Sequence, residues 1–301
     1  MSRDINGHTT VFGVIGDPIS HSFSPQIHRY FADLYNLNMA YLPFHVKDSN
    51  VPAAICGAHA LGIRGLNVTV PHKKSVMPHL SHIDPMAQQI GTVNTLMWGK
   101  EGYAGYNTDY IGIQRTLEDF DISFKNNTVA VLGAGGTAFA ACVAAATQGA
   151  SRIIIVNRTK ENAIFLASHV NTYYNVPVDI FVPEEFSEAF FKATEKHNIR
   201  PSIVIQTTTI GFDKTKDESP IPGSCSYMDF FAGVQLAFDI IYTPWETIFL
   251  QQAKEAGVPK VTNGFPMLVY QAAAAFDLWQ NTEIVENGDM ESHIKTLAKM
   301  L

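Results

Sequence analysis

A chain of 301 residues, 46% hydrophobic and 16% charged, is long enough for two domains that each bury a core. A formal charge of −7 with no Lys/Arg cluster speaks against a nucleic-acid partner, and no apolar run approaches the roughly 20 residues of a membrane span. The polar segment 1–10 lacks a signal-peptide core, and Cys56, Cys142 and Cys225 lie far apart with no C-x-x-C pair, so a cytoplasmic protein with reduced thiols is expected.

Residues 11–16 read as a strand that runs into the loop 17–25. Ser24 followed by Pro25 fits an N-cap and an N1 proline, and Ile27, Tyr30, Phe31 and Leu34 give the stripe of an amphipathic helix. On that reading Ser22 and Ser24 are turn and cap residues. A second strand is expected over 40–46 and a helix over 51–61, stopped by Gly62. Within 65–74, alternation sets Asn67 and Thr69 on the face opposite Val68 and Val70. Pro71 then ends the strand and opens a helix with Lys73 in its first turn. A cation there opposes the helix dipole, which suits either an ordinary surface lysine or a functional one. Residues 91–97 read as a strand turned back through 99–102. Asp109 stands at the N-cap of a helix over about 110–119.

The middle of the chain carries a strand–loop–helix–strand unit. The apolar run 128–132 leads into Gly133-Ala134-Gly135-Gly136-Thr137-Ala138, an alanine-rich helix to Thr147, a stop at Gly149, and a second run at 152–156. The spacing fits G-x-G-x-x-A, in which glycines permit the tight turn and the exposed N–H groups of the helix start face a pyrophosphate. The second strand ends in Asn157-Arg158-Thr159, with no acid to accept from a ribose 2′-hydroxyl. An arginine fork there suits a 2′-phosphate, so NADP is expected, with NAD as the alternative.

Downstream, helical patterns are expected near 160–173 and as a polar stretch up to His197, with a strand near 178–182. A strand over 202–206, a surface loop at 219–224, a strand at 236–241 and a helix over 245–256 stopped by Gly257 follow. Gln271 falls in a helix begun near Pro266, among Leu268, Val269, Ala272, Ala275 and Phe276, where it would simply face solvent. Strands alternating with helices imply mainly parallel sheets. The expected class is therefore α/β in two domains: a doubly wound Rossmann-type nucleotide domain over 113–261, and an α/β substrate-binding domain from 1–112 plus 262–301. None of the eleven histidines has H-x-x-x-H or H-E-x-x-H spacing, and no metal site is expected.

Ser22-Phe23-Ser24-Pro25, Asn67-Val68-Thr69-Val70-Pro71-His72-Lys73, Val93-Asn94-Thr95 and Asn107-Thr108-Asp109 resemble the ordered signature blocks of shikimate dehydrogenases. The glycine loop, Asn157-Arg158-Thr159, the segment from Asp239 to Pro244 and the segment from Asn263 to Ala273 continue the likeness over nearly the whole chain. The resemblance implies NADPH-dependent reduction of 3-dehydroshikimate to shikimate, and its reverse, with Lys73 and Asp109 as the catalytic pair. It assigns substrate binding to Ser22, Ser24, Asn67, Thr69, Asn94, Tyr242 and Gln271, with Tyr41 and Thr108 beside them. It gives the cofactor to Gly133, Ala134, Gly135, Gly136, Thr137, Ala138, Asn157, Arg158, Thr159, Thr208, Ile240 and Gly264. The implied partners are a small cyclic hydroxy acid and NADP, with no nucleic acid or membrane, in a monomer or homodimer. The chain departs from the family pattern at Tyr110 and Pro266, where glycine is common, at Gln206-Thr207-Thr208-Thr209 in place of Asn-Ala-Thr-Ser, and at Asn162 in place of a basic residue. A quinate or dual quinate/shikimate dehydrogenase using NAD, and a catalytically silent nucleotide-binding regulator, are the rival readings.

Overall fold

The computed structural model describes residues 5–183, 200–221 and 225–301. The chain divides into two compact units, one running up to Gly112 and resuming at Leu268–Leu301, the other spanning Ile113–Met267.

The first unit is built on a six-stranded sheet of β1 (Thr10–Gly16), β2 (Met39–His45), β3 (Gly65–Val68), β4 (His82–Ile83), β5 (Thr95–Gly99) and β6 (Gly102–Tyr106), in the order β2-β1-β3-β5-β6-β4. β1 pairs in parallel with β2 and β3, whereas β5 runs antiparallel to both β3 and β6. The β5–β6 hairpin is what the turn residues between 99 and 102 predict. Three helices join the strands: α1 (Ser24–Leu34), α2 (Val51–Ala60) and α3 (Pro85–Ile90). One core packs Val51, Ile55, Leu66, Val68, Val76 and Leu96.

Several local expectations are corrected. No α-helix opens at Pro71: His72 N–H donates to Thr69 O, Met77 N–H to Lys74 O and His79 N–H to Val76 O, so residues 70–79 form successive turns ending in a 3-10 turn at Met77–His79. Pro78 has no N–H to extend an α-helical ladder there. The helix dipole therefore has no bearing on Lys73. The N-cap of α1 is Phe23, and Ser24 makes no cap bond; instead the Ser22 hydroxyl accepts the Ser24 N–H at 3.3 Å. The buried face of α1 comprises Ser24, Ile27, His28, Phe31 and Ala32, with Leu34 outside it, because the helix turns His28 onto Tyr41 (ring centroids 4.2 Å apart). The strand expected from Gly91 starts at Thr95. Gly91, with φ of 76°, closes α3, and Val93 N–H leaves the ladder to donate to Lys73 O at 2.9 Å.

The second unit has six strands: β7 (Thr128–Leu132), β8 (Arg152–Val156), β9 (Val178–Phe181), β10 (Ile203–Gln206), β11 (Leu236–Asp239) and β12 (Lys260–Thr262). They are all parallel, in the order β12-β11-β10-β7-β8-β9. The order reverses between β7 and β10, and an open α/β sheet receives its ligand beyond the carboxyl ends of the strands at such a point. Between β7 and β8 runs α5 (Gly136–Thr147), after α4 (Asp109–Glu118); α6 (Lys160–Tyr173) follows β8. Ala138, Ala140, Ala141, Ala144 and Ala145 of α5 are all buried, which explains its alanine-rich sequence: small side chains let the helix lie close to the sheet. The helix expected over 245–256 begins only at Ile248, capped by the Thr247 hydroxyl. The helical stretch expected up to His197 and the end of the 219–224 loop lie outside the described residues.

Candidate active site

In the first unit the polar residues of the signature blocks converge at the ends of β3 and β5 and the start of α4. Lys73 Nζ donates to Asp109 Oδ2 at 2.5 Å, and the two side chains are 12% and 6% exposed, so the pair is shielded from most of the solvent screening that weakens surface ion pairs. Asp109 is the first residue of α4, but its carboxylate does not cap the helix; Oδ2 meets Lys73 and Oδ1 accepts the Asn94 amide at 2.8 Å. Asn94 is the hub. Its Nδ2 also lies 3.1 Å from Thr108 Oγ1 and 3.4 Å from Gln271 Oε1, while its Oδ1 accepts Thr108 N–H at 2.8 Å and the Thr95 hydroxyl at 3.0 Å. From Thr95 the network passes to Asn67, whose Nδ2 donates to Thr95 Oγ1 at 3.1 Å, and on to Tyr41, whose hydroxyl donates to Asn67 Oδ1 at 2.7 Å. Burial drives the Tyr41 hydroxyl well above the ordinary tyrosine range, opposed by a hydrogen bond with Ser24.

Each member of this chain therefore has a partner, which fixes rotamers that would otherwise be free. Gln271 is turned toward Asn94 and not simply to solvent: its Nε2 donates to Leu268 O at 2.9 Å while its Oε1 faces the amide. Ser22 and Thr69 are half-buried in the loops that follow β1 and β3, and Thr69 N–H donates to Ile15 O. Thr95 and Asn107 stand in the sequence blocks but receive no role from them. Thr95 is fully buried between Asn94 and Asn67, and Asn107 Oδ1 accepts Asp109 N–H at 3.0 Å. Their place inside the blocks, as polar neighbours of Asn94 and Asp109, is the only signal the sequence offers for them.

In the second unit the glycine loop lies between β7 and α5. Gly133 has φ of 118°, and a Cβ there would stand 2.6 Å from Thr207 Oγ1; only glycine fits. Around Gly135, the N-cap of α5, there is open space with no heavy atom within 4 Å of a would-be Cβ. Thr207 is tied to the loop, its hydroxyl donating to Leu132 O at 2.7 Å. The departure at Gln206 is explained by its bonds: Oε1 accepts Thr208 N–H at 2.8 Å and Nε2 donates to Ile210 O at 2.8 Å, so the longer amide staples the turn after β10. Ala138 is buried against the sheet, whereas Ala134, Gly136 and Thr137 are half-buried along the loop and first turn.

Asn157 follows β8 and donates its amide to Thr159 O at 2.8 Å, shaping the turn that presents Arg158. Arg158, Thr159 and Lys160 are exposed, and among the described residues no carboxylate pairs with Arg158. Gly264 is held so close to Ile240 that a Cβ would fall 1.9 Å from its carbonyl oxygen. A glycine-lined turn open at a helix N-terminus, with a guanidinium at the end of the neighbouring strand, fits a pyrophosphate and a 2′-phosphate. Among the described residues no group of His, Cys, Asp and Glu could hold a metal ion.

Comparison with known proteins gives concordant matches. Residues 14–96 match the shikimate dehydrogenase substrate binding domain, and residues 114–198 match shikimate / quinate 5-dehydrogenase. A "Shikimate dehydrogenase (NADP(+))" of Caldanaerobacter subterraneus is 38% identical over 91% of this chain and 93% of its own length. One of the same name from Moorella thermoacetica is 36% identical over 93% of this chain and 90% of its own. The solved shikimate 5-dehydrogenase of Listeria monocytogenes, in complex with shikimate and NAD, superposes with a TM-score of 0.85 at 28% identity, covering 99% of both chains. With identities above a third over nine-tenths of their length, the chain belongs to the shikimate dehydrogenase family.

Proposed function

We propose that this protein is an NADP-dependent shikimate dehydrogenase that interconverts 3-dehydroshikimate and shikimate, with the unit carrying Lys73 binding the acid and the unit carrying the glycine loop binding the dinucleotide. The observation that supports the chemistry best is the Lys73–Asp109 pair at 2.5 Å, shielded from solvent and braced through Asn94. NADPH supplies the hydride when bound. Reduction of a ring ketone also requires a proton at the nascent alkoxide, and the Lys73 ammonium is the donor. Asp109 holds that ammonium in place and balances its charge, and Asn94 fixes which carboxylate oxygen faces the lysine. In the oxidative direction the same lysine, as the neutral amine, takes the hydroxyl proton.

Asn67, Asn94 and Gln271 offer amides to ring hydroxyls, Ser22 and Ser24 offer hydroxyls to the carboxylate, and Thr69, Thr108, Tyr41 and Tyr242 complete the recognition. An amide that turns from its protein partner to the ligand and finds no hydroxyl there is left unsatisfied at about 1–3 kcal/mol, so such a lining disfavours acids that lack a matching hydroxyl. Arg158, free of a carboxylate among the described residues, and Asn157 and Thr159 would hold the 2′-phosphate. The relatives from Moorella and Caldanaerobacter are named for NADP(+), which favours this cofactor, whereas the Listeria protein was solved with NAD. Initial rates with shikimate and quinate, each with NADP+ and with NAD+, test the reading. Shikimate with NADP+ is expected to be the best pair; quinate with NAD+ as the best pair would overturn it.

A further inference from the structure

The second unit buries a carboxylate that this chemistry leaves unused. Asp239 ends β11 with no exposed surface, and among the described residues no cation pairs with it. Both of its oxygens serve the loop that follows: Oδ1 accepts Ile241 N–H at 2.9 Å and Oδ2 accepts the Thr247 hydroxyl at 2.7 Å. Thr247 Oγ1 in turn accepts Leu250 N–H at 3.4 Å at the start of the helix Ile248–Glu255. One side chain thus pins both ends of the loop 240–247. The loop is also gripped from β12's far end, where Gly264 N–H donates to Ile241 O at 3.0 Å and Asn263 Nδ2 to Trp245 O at 2.9 Å.

A neutral side chain would close such a loop at less desolvation cost than a carboxylate. What the carboxylate adds is direction, since it only accepts and so dictates where the Ile241 and Thr247 hydrogens point. We propose that Asp239 is a positioning residue, a buried latch that holds the loop 240–247 so that Ile240 and Tyr242 stand where nicotinamide and substrate require them. The roles of Ile240 and Tyr242 rest on the function proposed above.

Burial pushes the Asp239 carboxyl up to about 7, opposed by its bonds from Thr247 and Ile241. Around it, β10 contributes the uncharged Gln206 and β12 the uncharged Thr262; the loop's own ionisable groups are Tyr242 and Glu246. Glu246 is paired with Lys254, and Glu255 accepts the Tyr227 hydroxyl. The latch therefore changes protonation near neutrality: the ionised form presents an acceptor oxygen to each donor, whereas protonation turns one of those oxygens into an O–H donor. A raised carboxyl stabilises the fold most below its unfolded value near 4, and that contribution is lost as pH rises toward about 7. Latching and stability consequently pull in opposite directions at this residue.

The test compares full-length wild type with Asp239→Asn. The variant, relieved of a buried charge, is expected to melt higher than wild type at about pH 8, yet to lose about tenfold to a hundredfold in kcat/KM for shikimate with NADP+. The wild-type fall in kcat/KM below about pH 7 should flatten in the variant. Unchanged kcat/KM with an unchanged pH profile would overturn the proposal, as would parallel losses of activity and melting temperature, which a merely structural role predicts. A second readout needs neither turnover nor the variant: the part of the tryptophan emission that Trp245→Phe removes should titrate near neutrality in wild type, and a flat titration refutes the latch. Should the wild type turn over neither acid, the function fails while the Trp245 titration still decides on Asp239.

Discussion

In the first unit the candidate site is made of side chains bonded to side chains, from Tyr41 through Asn67, Thr95 and Asn94 to Asp109 and Lys73. In the second it is made of backbone shape, with Gly133 and Gly264 keeping space clear and Thr207, Gln206 and Asp239 bonding to main-chain groups. On the function proposed above, the difference follows from what each must recognise. A polyhydroxylated acid offers directional donors and acceptors that amides and hydroxyls can match one by one. A pyrophosphate offers diffuse negative charge, which backbone N–H groups at a helix start meet without any particular side chain. The two halves should therefore break differently: the first by changing a functional group, the second by adding a single carbon.

The largest effect is expected at Lys73. Lys73→Met keeps the aliphatic stem and removes the ammonium, so kcat should fall by about 10²- to 10⁴-fold, with KM for NADP+ changed by no more than a few-fold. Stopped-flow and steady-state rates read this, and circular dichroism should show the fold intact; undiminished turnover would remove lysine from the chemistry. Next comes Gly264→Ala, which changes no functional group. Its Cβ would stand 1.9 Å from the Ile240 carbonyl oxygen, a contact with backbone on both sides that no rotamer relieves. Overpacking of this kind costs about 1–3 kcal/mol, and KM for NADP+ should rise with it; a melting curve superimposable on wild type would show that the loop yields freely. A smaller effect is expected for Arg158→Ala, which removes one charge-assisted contact worth about 1.5–3 kcal/mol. It should raise KM for NADP+ about tenfold or more while leaving KM for NAD+ nearly unchanged, and equal losses with both cofactors would dissociate Arg158 from the 2′-phosphate.

The two halves also differ in how far their sequence announces them. The strand–loop–helix–strand unit is legible because its signals are local: a β-branched run, glycines at fixed spacing, alanines, then a second run, all within residues 128–156. Lys73, Asp109, Asn94 and Gln271 are legible as residues through the family blocks, but their mutual geometry is not, since Asn94 meets Gln271 across 177 positions of chain. The segment after Pro71 misleads because proline opens helices and turns alike; Pro78, legible in the sequence, and the capture of Lys73 O by Val93 N–H, a tertiary contact, decide for turns. The face of α1 misleads for a related reason. Periodicity treats His28 as polar, yet it lies fully buried against Tyr41 and near Trp279, so the histidine replaces Leu34 in the core. Asp239 and Thr95 are short polar residues at strand ends, where turn formers are common, and nothing in their spacing marks them.

His28 carries the smallest predicted effect and the clearest contrast with Asp239. Burial pushes its imidazole down to about 3, against an opposing influence of the Asn67 side chain, and among the described residues neither ring nitrogen lies within hydrogen-bond geometry of a partner. The folded first unit therefore holds a neutral imidazole, whereas the unfolded chain takes up a proton below about 6.5. Because the unfolded state binds more protons in that window, stability contributed here is complete above about 6.5 and is lost as pH falls, at up to about 1.4 kcal/mol per unit. Asp239 in the second unit has the opposite slope over most of the same range, since its folded state is the one that binds the extra proton. In the wild type these two dependences oppose one another between about pH 4 and 6.5, so that each masks the other in the melting profile. His28→Phe retains the stack on Tyr41 and removes the titrating group; its melting temperature should then fall as pH rises across that window, exposing the Asp239 slope. Adding Asp239→Asn should flatten the profile, and a double variant that kept the slope would assign it to another group.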